Sequence, residues 1–187
     1  MSKYTDIFER HYFSNHYIEA QKVEESFRLF FKAKNAILYG NLNMLIMAIV
    51  DEVGGTIYAS PLFPIANCNC LLEATGRPSI IKKDNNFAFQ DFKDFSPRLW
   101  SEKISKHISF LYVDEKPSAL IINIALNASI TNISVLVTNS QDLARKLQCA
   151  RSSYGREGLT EVNIKSNGRI SEIHSLEINN ILNKYLN

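Results

Sequence analysis

His107–Asn139 reads HISFLYVDEKPSALIINIALNASITNISVLVTN, and how its three apolar runs pass through a sheet decides the fold. HISFLYV (107–113), ALIINIAL (119–126) and NISVLVTN (132–139) each have the length and apolarity of a buried strand. Upstream, the chain alternates helix and strand. Val23, Phe27, Phe30 and Phe31 recur on one face of a helix over Ala20–Lys32, with Lys22, Glu24, Glu25 and Arg28 mostly elsewhere. NAILYG (35–40) follows as a strand, then NLNMLIMAIVDEVG (41–54) as a helix ending at Gly54-Gly55. TIYA (56–59) reads as a strand, PIANCNCLLEAT (64–75) as a helix stopped near Gly76-Arg77-Pro78, and PSIIKK (78–83) as the next strand.

Repeated strand–helix units imply a largely parallel central sheet with helices on both faces, a three-layer α/β domain. The polar, aromatic stretch 83–98 connects to a helix over RLWSEKIS (98–105), for which Ser96-Pro97 is the start signal. Downstream of the opening stretch, Ser140 is placed to cap QDLARKLQCA (141–150), where Leu143 and Leu147 lie one turn apart. NGRISEIHSLEINNIL (167–182) sets an Asn-Gly-Arg turn before an amphipathic helix that runs to the end of the sequence.

A chain of 187 residues fits one domain, expected over 1–187, and no repeat or low-complexity tract marks a linker. Its 21 basic and 19 acidic residues leave a net charge of +2, too balanced for a dedicated nucleic-acid binder. Cys68, Cys70 and Cys149 form neither a disulfide framework nor a zinc pattern, so a reduced, cytoplasmic setting is expected. His11, His16, His107 and His174 are scattered and set up no metal site. The N-terminus lacks the apolar core of a signal peptide, and MLIMAIV is too short to span a bilayer, so no membrane segment is expected.

Several blocks in order resemble the large domain of the DegT/StrS-type sugar aminotransferases, fold-type I enzymes that use pyridoxal phosphate (PLP) on nucleotide-linked keto-sugars. They are VEESFRLFFKAKNAILYGNLNMLIMAI (23–49), IYASPLFPIANCNCLLEATGRPSII (57–81), VLVTNSQDLARKLQCARSSYGREG (135–158) and NGRISEIHSLEINNIL (167–182). The resemblance implies the fold-type I large domain without the small C-terminal domain.

It also implies a set of remnant cofactor positions. YGNLNM (39–44) stands at the phosphate-binding turn, keeping Gly40 and Asn41 but lacking the family's Thr hydroxyl. Backbone amides at the following helix start would hold an anion; a Gly before a helix equally suits a plain turn. Phe63 and Asn69 fall near cofactor-facing positions and equally suit a core residue and a helix cap. Asp114 or Glu115 stands near the carboxylate that would keep the pyridine nitrogen protonated, although the stretch from there to VTN is shortened. Asn167 matches an Asn that reaches across a dimer interface toward the partner's phosphate, while Asn-Gly alone makes a favourable turn and Arg169 could pair with Glu172.

The Schiff-base Lys should lie about a dozen residues before VTN, but no Lys or His occurs from Pro117 through Arg145, and the aligned positions hold Leu126 and Asn127. An imine to Lys is what makes PLP an electron sink. The expectation is a degenerate homologue, a pseudoenzyme with no catalytic residues and no covalent cofactor, to which PLP comes only as a non-covalent ligand. It would act as a binding or regulatory subunit in surface-polysaccharide or nucleotide-sugar metabolism. A homodimer or a pairing with a full-length aminotransferase is expected, with a nucleotide-sugar as the candidate ligand and no nucleic acid. The alternatives are an aminotransferase completed by another chain, a nucleotide-sugar enzyme that works without PLP, and a structural fragment that only dimerises.

Overall fold

The computed structural model describes residues 5, 7, 18–53, 57–60, 63, 65–77, 81–83, 108–113, 119–124, 133–151 and 168–186. The elements in chain order are α1 (Ile18–Phe30), β1 (Asn35–Tyr39), α2 (Leu42–Val53), β2 (Ile57–Ala59), α3 (Ile65–Ala74), β3 (Ile81–Lys83), β4 (Ile108–Val113), β5 (Ala119–Ile124), β6 (Ile133–Thr138), α4 (Gln141–Arg151) and α5 (Glu172–Leu186). The stretch 84–107, with its expected loop and helix, lies outside the described residues.

Local chemistry explains the element boundaries. Ser140 Oγ accepts the Leu143 amide at 3.2 Å, and Ser171 Oγ accepts the His174 amide at 3.2 Å, so each caps the helix that follows. α3 ends in a left-handed residue, Gly76 (φ 74°), with Arg77 N–H donating to Leu72 O at 2.7 Å and Gly76 N–H to Glu73 O at 3.0 Å. These are the paired bonds of a Schellman stop. α1 ends the same way at Lys32 (φ 51°), through Ala33 N–H to Arg28 O at 3.0 Å and Lys32 N–H to Leu29 O at 3.2 Å. A side chain there carries the steric cost that glycine avoids.

Among the described residues, six strands form one sheet in the order β1-β6-β5-β4-β2-β3. The expected mostly parallel sheet is corrected: β2–β3 is the parallel pair, while β1–β6, β6–β5, β5–β4 and β4–β2 are all antiparallel. The reason lies in the opening stretch. Only residues 114–118 join β4 to β5, and only 125–132 join β5 to β6. A parallel crossover needs a dozen or more residues, so these strands return as hairpins. Between β2 and β3 the chain has room for α3, and there the strands are parallel.

Helices cover both faces, as expected of three layers. On one face Ile37, Tyr39, Ala119, Ile121 and Leu136 pack with α2, Phe63, Cys68, Leu72, and Leu143, Ala144, Leu147 and Ala150 of α4. On the other, Ala36, Leu38, Leu120, Ile122, Val135 and Val137 pack with Ala20, Val23, Phe27 and Phe31 at α1, and Ile178 and Leu182 of α5. The strand residues alternate between the two cores with period two, which is why β5 and β6 read as continuous apolar runs. Phe27 and Phe31 stack with centroids 6.2 Å apart. Each buried Phe contributes roughly 1.5–3 kcal/mol.

Candidate functional site

The register puts Tyr39, Ser134, Asn123 and Ser109 in one row, at the end where β1 and β5 finish. Asn35, Thr138, Ala119, Val113, Ile57 and Ile81 form the row at the other end. Gly40 and Asn41 follow Tyr39 at the first end. Buried beneath them, Ser134 Oγ donates to Asn123 Oδ1 at 3.2 Å.

At the Gly40-Asn41 turn, Asn41 Oδ1 accepts the amides of Asn43 at 2.9 Å and Met44 at 3.4 Å, capping α2. Gly40 N–H donates to Gly168 O at 2.9 Å. A Cβ on Gly40 would sit 2.7 Å from Arg169 O and 3.2 Å from Ile170 Cα. A Cβ on Gly168 would sit 2.5 Å from the Tyr39 ring. Residues 168–170 are therefore pressed against β1 and its turn, and both glycines are required by that close approach. The turn at 39–41 and the turn at 168–169, singled out separately in the sequence, are one joint.

Around the joint the polar groups are paired. The Tyr39 hydroxyl donates to Leu147 O at 2.6 Å, and burial pushes its pKa up, opposed by the nearby Arg151 cation. Gly168 N–H donates to Arg151 O at 3.0 Å. Arg151 Nη1 donates to Glu24 Oε1 and to Leu38 O, both at 2.8 Å, and Glu24 Oε1 also accepts the Leu38 amide at 2.8 Å. Glu172 is engaged elsewhere: its carboxylate accepts the amides of Glu19 at 2.8 Å and Ala20 at 3.2 Å, holding the start of α1. Asn179 Nδ2 adds a 2.9 Å bond to Glu19 O.

The other candidate residues do not converge here. Phe63 is 5 % exposed and belongs to the core under α2 and α3. Asn69 Nδ2 donates to Ile81 O at 3.2 Å, which bolts α3 to β3. β1 and β3 are opposite edges of the described sheet, five strand steps or about 24 Å across at ~4.8 Å per step, and Ile81 also stands in the row opposite Tyr39. Asp114, Asn127 and Asn167 lie outside the described residues. Val113, which precedes Asp114, ends β4 in the row opposite Gly40, because β4 runs against β5. Among the described residues, no group of three His, Cys, Asp or Glu could hold a metal, and Cys68, Cys70 and Cys149 are free thiols.

The turn is a poor fit to the phosphate of PLP. The Gly40, Asn43 and Met44 amides already donate to the chain's own oxygens, and the carbonyl of Arg169 faces the space beside Gly40. An anion placed there would meet an acceptor where it needs a donor. No Lys stands between Pro117 and Arg145 to form an imine.

Glu24 and Arg151 were not legible as partners. Glu24 sits among the charges expected on the outer face of α1, yet its side chain is 15 % exposed and that of Arg151 7 %. The buried pair Asn123 and Ser134 was equally missed; a polar residue inside each of two apolar strand runs was the available signal.

Topology and packing define a mixed α/β protein. The structure is similar to that of Helicobacter pylori PseC, described as an aminotransferase involved in the biosynthesis of pseudoaminic acid, with a TM-score of 0.51 and 16% sequence identity. The match covers 94% of this chain and 61% of that chain, so this chain spans about three fifths of its neighbour's length. No protein-family model matches the sequence, and no curated protein matches it. No described helix is long and apolar enough to cross a membrane.

Proposed function

We infer that this protein is an aminotransferase-like subunit of nucleotide-sugar or surface-polysaccharide metabolism that binds or regulates rather than transaminates. The observation that carries the reading is the Lys-free segment from Pro117 through Arg145 on a chain whose fold matches a sugar aminotransferase. Transamination needs an amine to exchange the cofactor between enzyme and substrate. The closed Gly40 joint supports the same reading, because it leaves PLP no phosphate cradle at the turn where the resemblance would put it. The partner in this reading is a second copy or a full-length aminotransferase, and the ligand is a nucleotide-linked sugar held outside the Gly40 turn.

The test is to add PLP to purified protein, record the visible spectrum, reduce with borohydride and map adducts by mass spectrometry. No aldimine band and no specific Lys adduct are expected. A stoichiometric adduct on one Lys would overturn the reading and favour an enzyme with a relocated amine. Calorimetry with a UDP-sugar, alone and with a full-length aminotransferase present, tests the binding role. Heat in neither case would leave a purely structural subunit as the better account.

A further inference from the structure

Among the described residues β1, NAILY, is an edge strand, and its four positions after Asn35 are all buried. An edge strand normally offers its outward N–H and C=O groups to any strand that arrives, a second copy of the same chain above all. Here the outward groups of Leu38 are both taken. Its amide donates to Glu24 Oε1 at 2.8 Å, and its carbonyl accepts from Arg151 Nη1 at 2.8 Å. One residue pair further along, Gly40 N–H donates to Gly168 O at 2.9 Å. Glu24 comes from α1 and Arg151 from the last residue of α4, and the two are joined at 2.8 Å.

We propose that the Glu24–Arg151 pair is a surrogate strand: it presents an acceptor and a donor to Leu38 where an added strand would present its own C=O and N–H, and so closes the β1 edge against a second copy of this chain. The polarity of the backbone sets the polarity of the pair. The N–H of Leu38 needs an acceptor and its C=O a donor, so the acid must come from α1 and the base from α4. An ion pair that only joined the two helices would work equally well either way round. The other edge of the described sheet supports the contrast, since β3 carries the exposed Lys82, and a lysine on an edge discourages pairing by charge.

Three variants separate the two roles: Glu24→Gln keeps an acceptor oxygen and loses the charge, Glu24→Leu loses both, and the swap Glu24→Arg with Arg151→Glu keeps opposite charges with donor and acceptor exchanged. Hydrogen exchange at the Leu38 amide, followed by NMR, reads the contact, and light scattering across a concentration series reads association. Glu24→Gln should hold Leu38 protection within about threefold of wild type, whereas Glu24→Leu and the swap should lose about tenfold or more. Both of the latter should form larger species as concentration rises. A swap with wild-type protection overturns the proposal, as does Glu24→Gln losing as much as Glu24→Leu, or an exposed Leu38 edge with no added association. Should the swap and Glu24→Leu fail to fold, Glu24→Gln against wild type still decides.

Discussion

Replacing Gly40 by Ala tests the joint between the β1 turn and residues 168–170 most directly. The added methyl would lie 2.7 Å from Arg169 O, 3.3 Å from Arg169 C and 3.2 Å from Ile170 Cα, and all three are backbone atoms that no rotamer change can move. Overpacking of this kind costs typically 1–3 kcal/mol. Separating the segments weakens the Gly40–Gly168 bond, worth about 1 kcal/mol. Ala also restricts the unfolded chain, offsetting the loss by roughly 0.4–1 kcal/mol. The net is a destabilisation of about 2 kcal/mol. For a chain of 187 residues, at roughly 2–4 °C per kcal/mol, Tm should fall by about 4–8 °C. Urea denaturation should show a lower midpoint at unchanged slope. Titration with inorganic phosphate or PLP supplies the contrast, because an anion cradle would lose affinity in the variant and a closed joint has none to lose. A Gly40→Ala protein as stable as wild type, or one stripped of a phosphate affinity that wild type had, would refute the reasoning.

Tyr39→Phe should cost about 1 kcal/mol by leaving the buried Leu147 carbonyl without its 2.6 Å donor, read as a drop in the urea midpoint. Lys32→Gly should raise stability by about 1 kcal/mol, since Lys32 holds φ 51° at the α1 stop and glycine removes the left-handed penalty; a lower Tm would count against this. Ser140→Ala and Ser171→Ala should each cost about 1 kcal/mol and add in the double variant, because they cap separate helices. Burial pushes the Cys68 thiol from its ordinary value near 9 up to about 11. A raised folded-state value means its contribution to stability is complete below pH 9 and lost as pH rises toward 11. At pH 8 a thiol reagent should modify exposed Cys70 readily and Cys68 only on unfolding.

The partner expectation rested on the Asn167 turn, and residue 167 lies outside the described residues. Among the described residues, Leu29 is the exposed large hydrophobic side chain. The turn at Gly168 is seated in cis on the chain's own β1.

Local signals carried most of the elements. Helical spacing of Val23, Phe27 and Phe31, the Ser140 cap and the Gly76 stop act within a few residues of themselves, so the bounds of α1, α3 and α4 could be read along the chain. The Lys-free run 117–145 is likewise a matter of sequence alone. Strand direction was decided at a longer range: alternation upstream suggested parallel strands, while the lengths of 114–118 and 125–132 forced hairpins, a signal present in the sequence but weaker to the eye than periodicity. What only the tertiary structure could decide was which distant groups meet. Gly40 touches Arg169, Glu24 joins Arg151 across the edge of β1, and Asn69 is carried to the far edge of the sheet. No local propensity encodes such contacts, because they follow from strand order and from which backbone groups the sheet leaves unpaired.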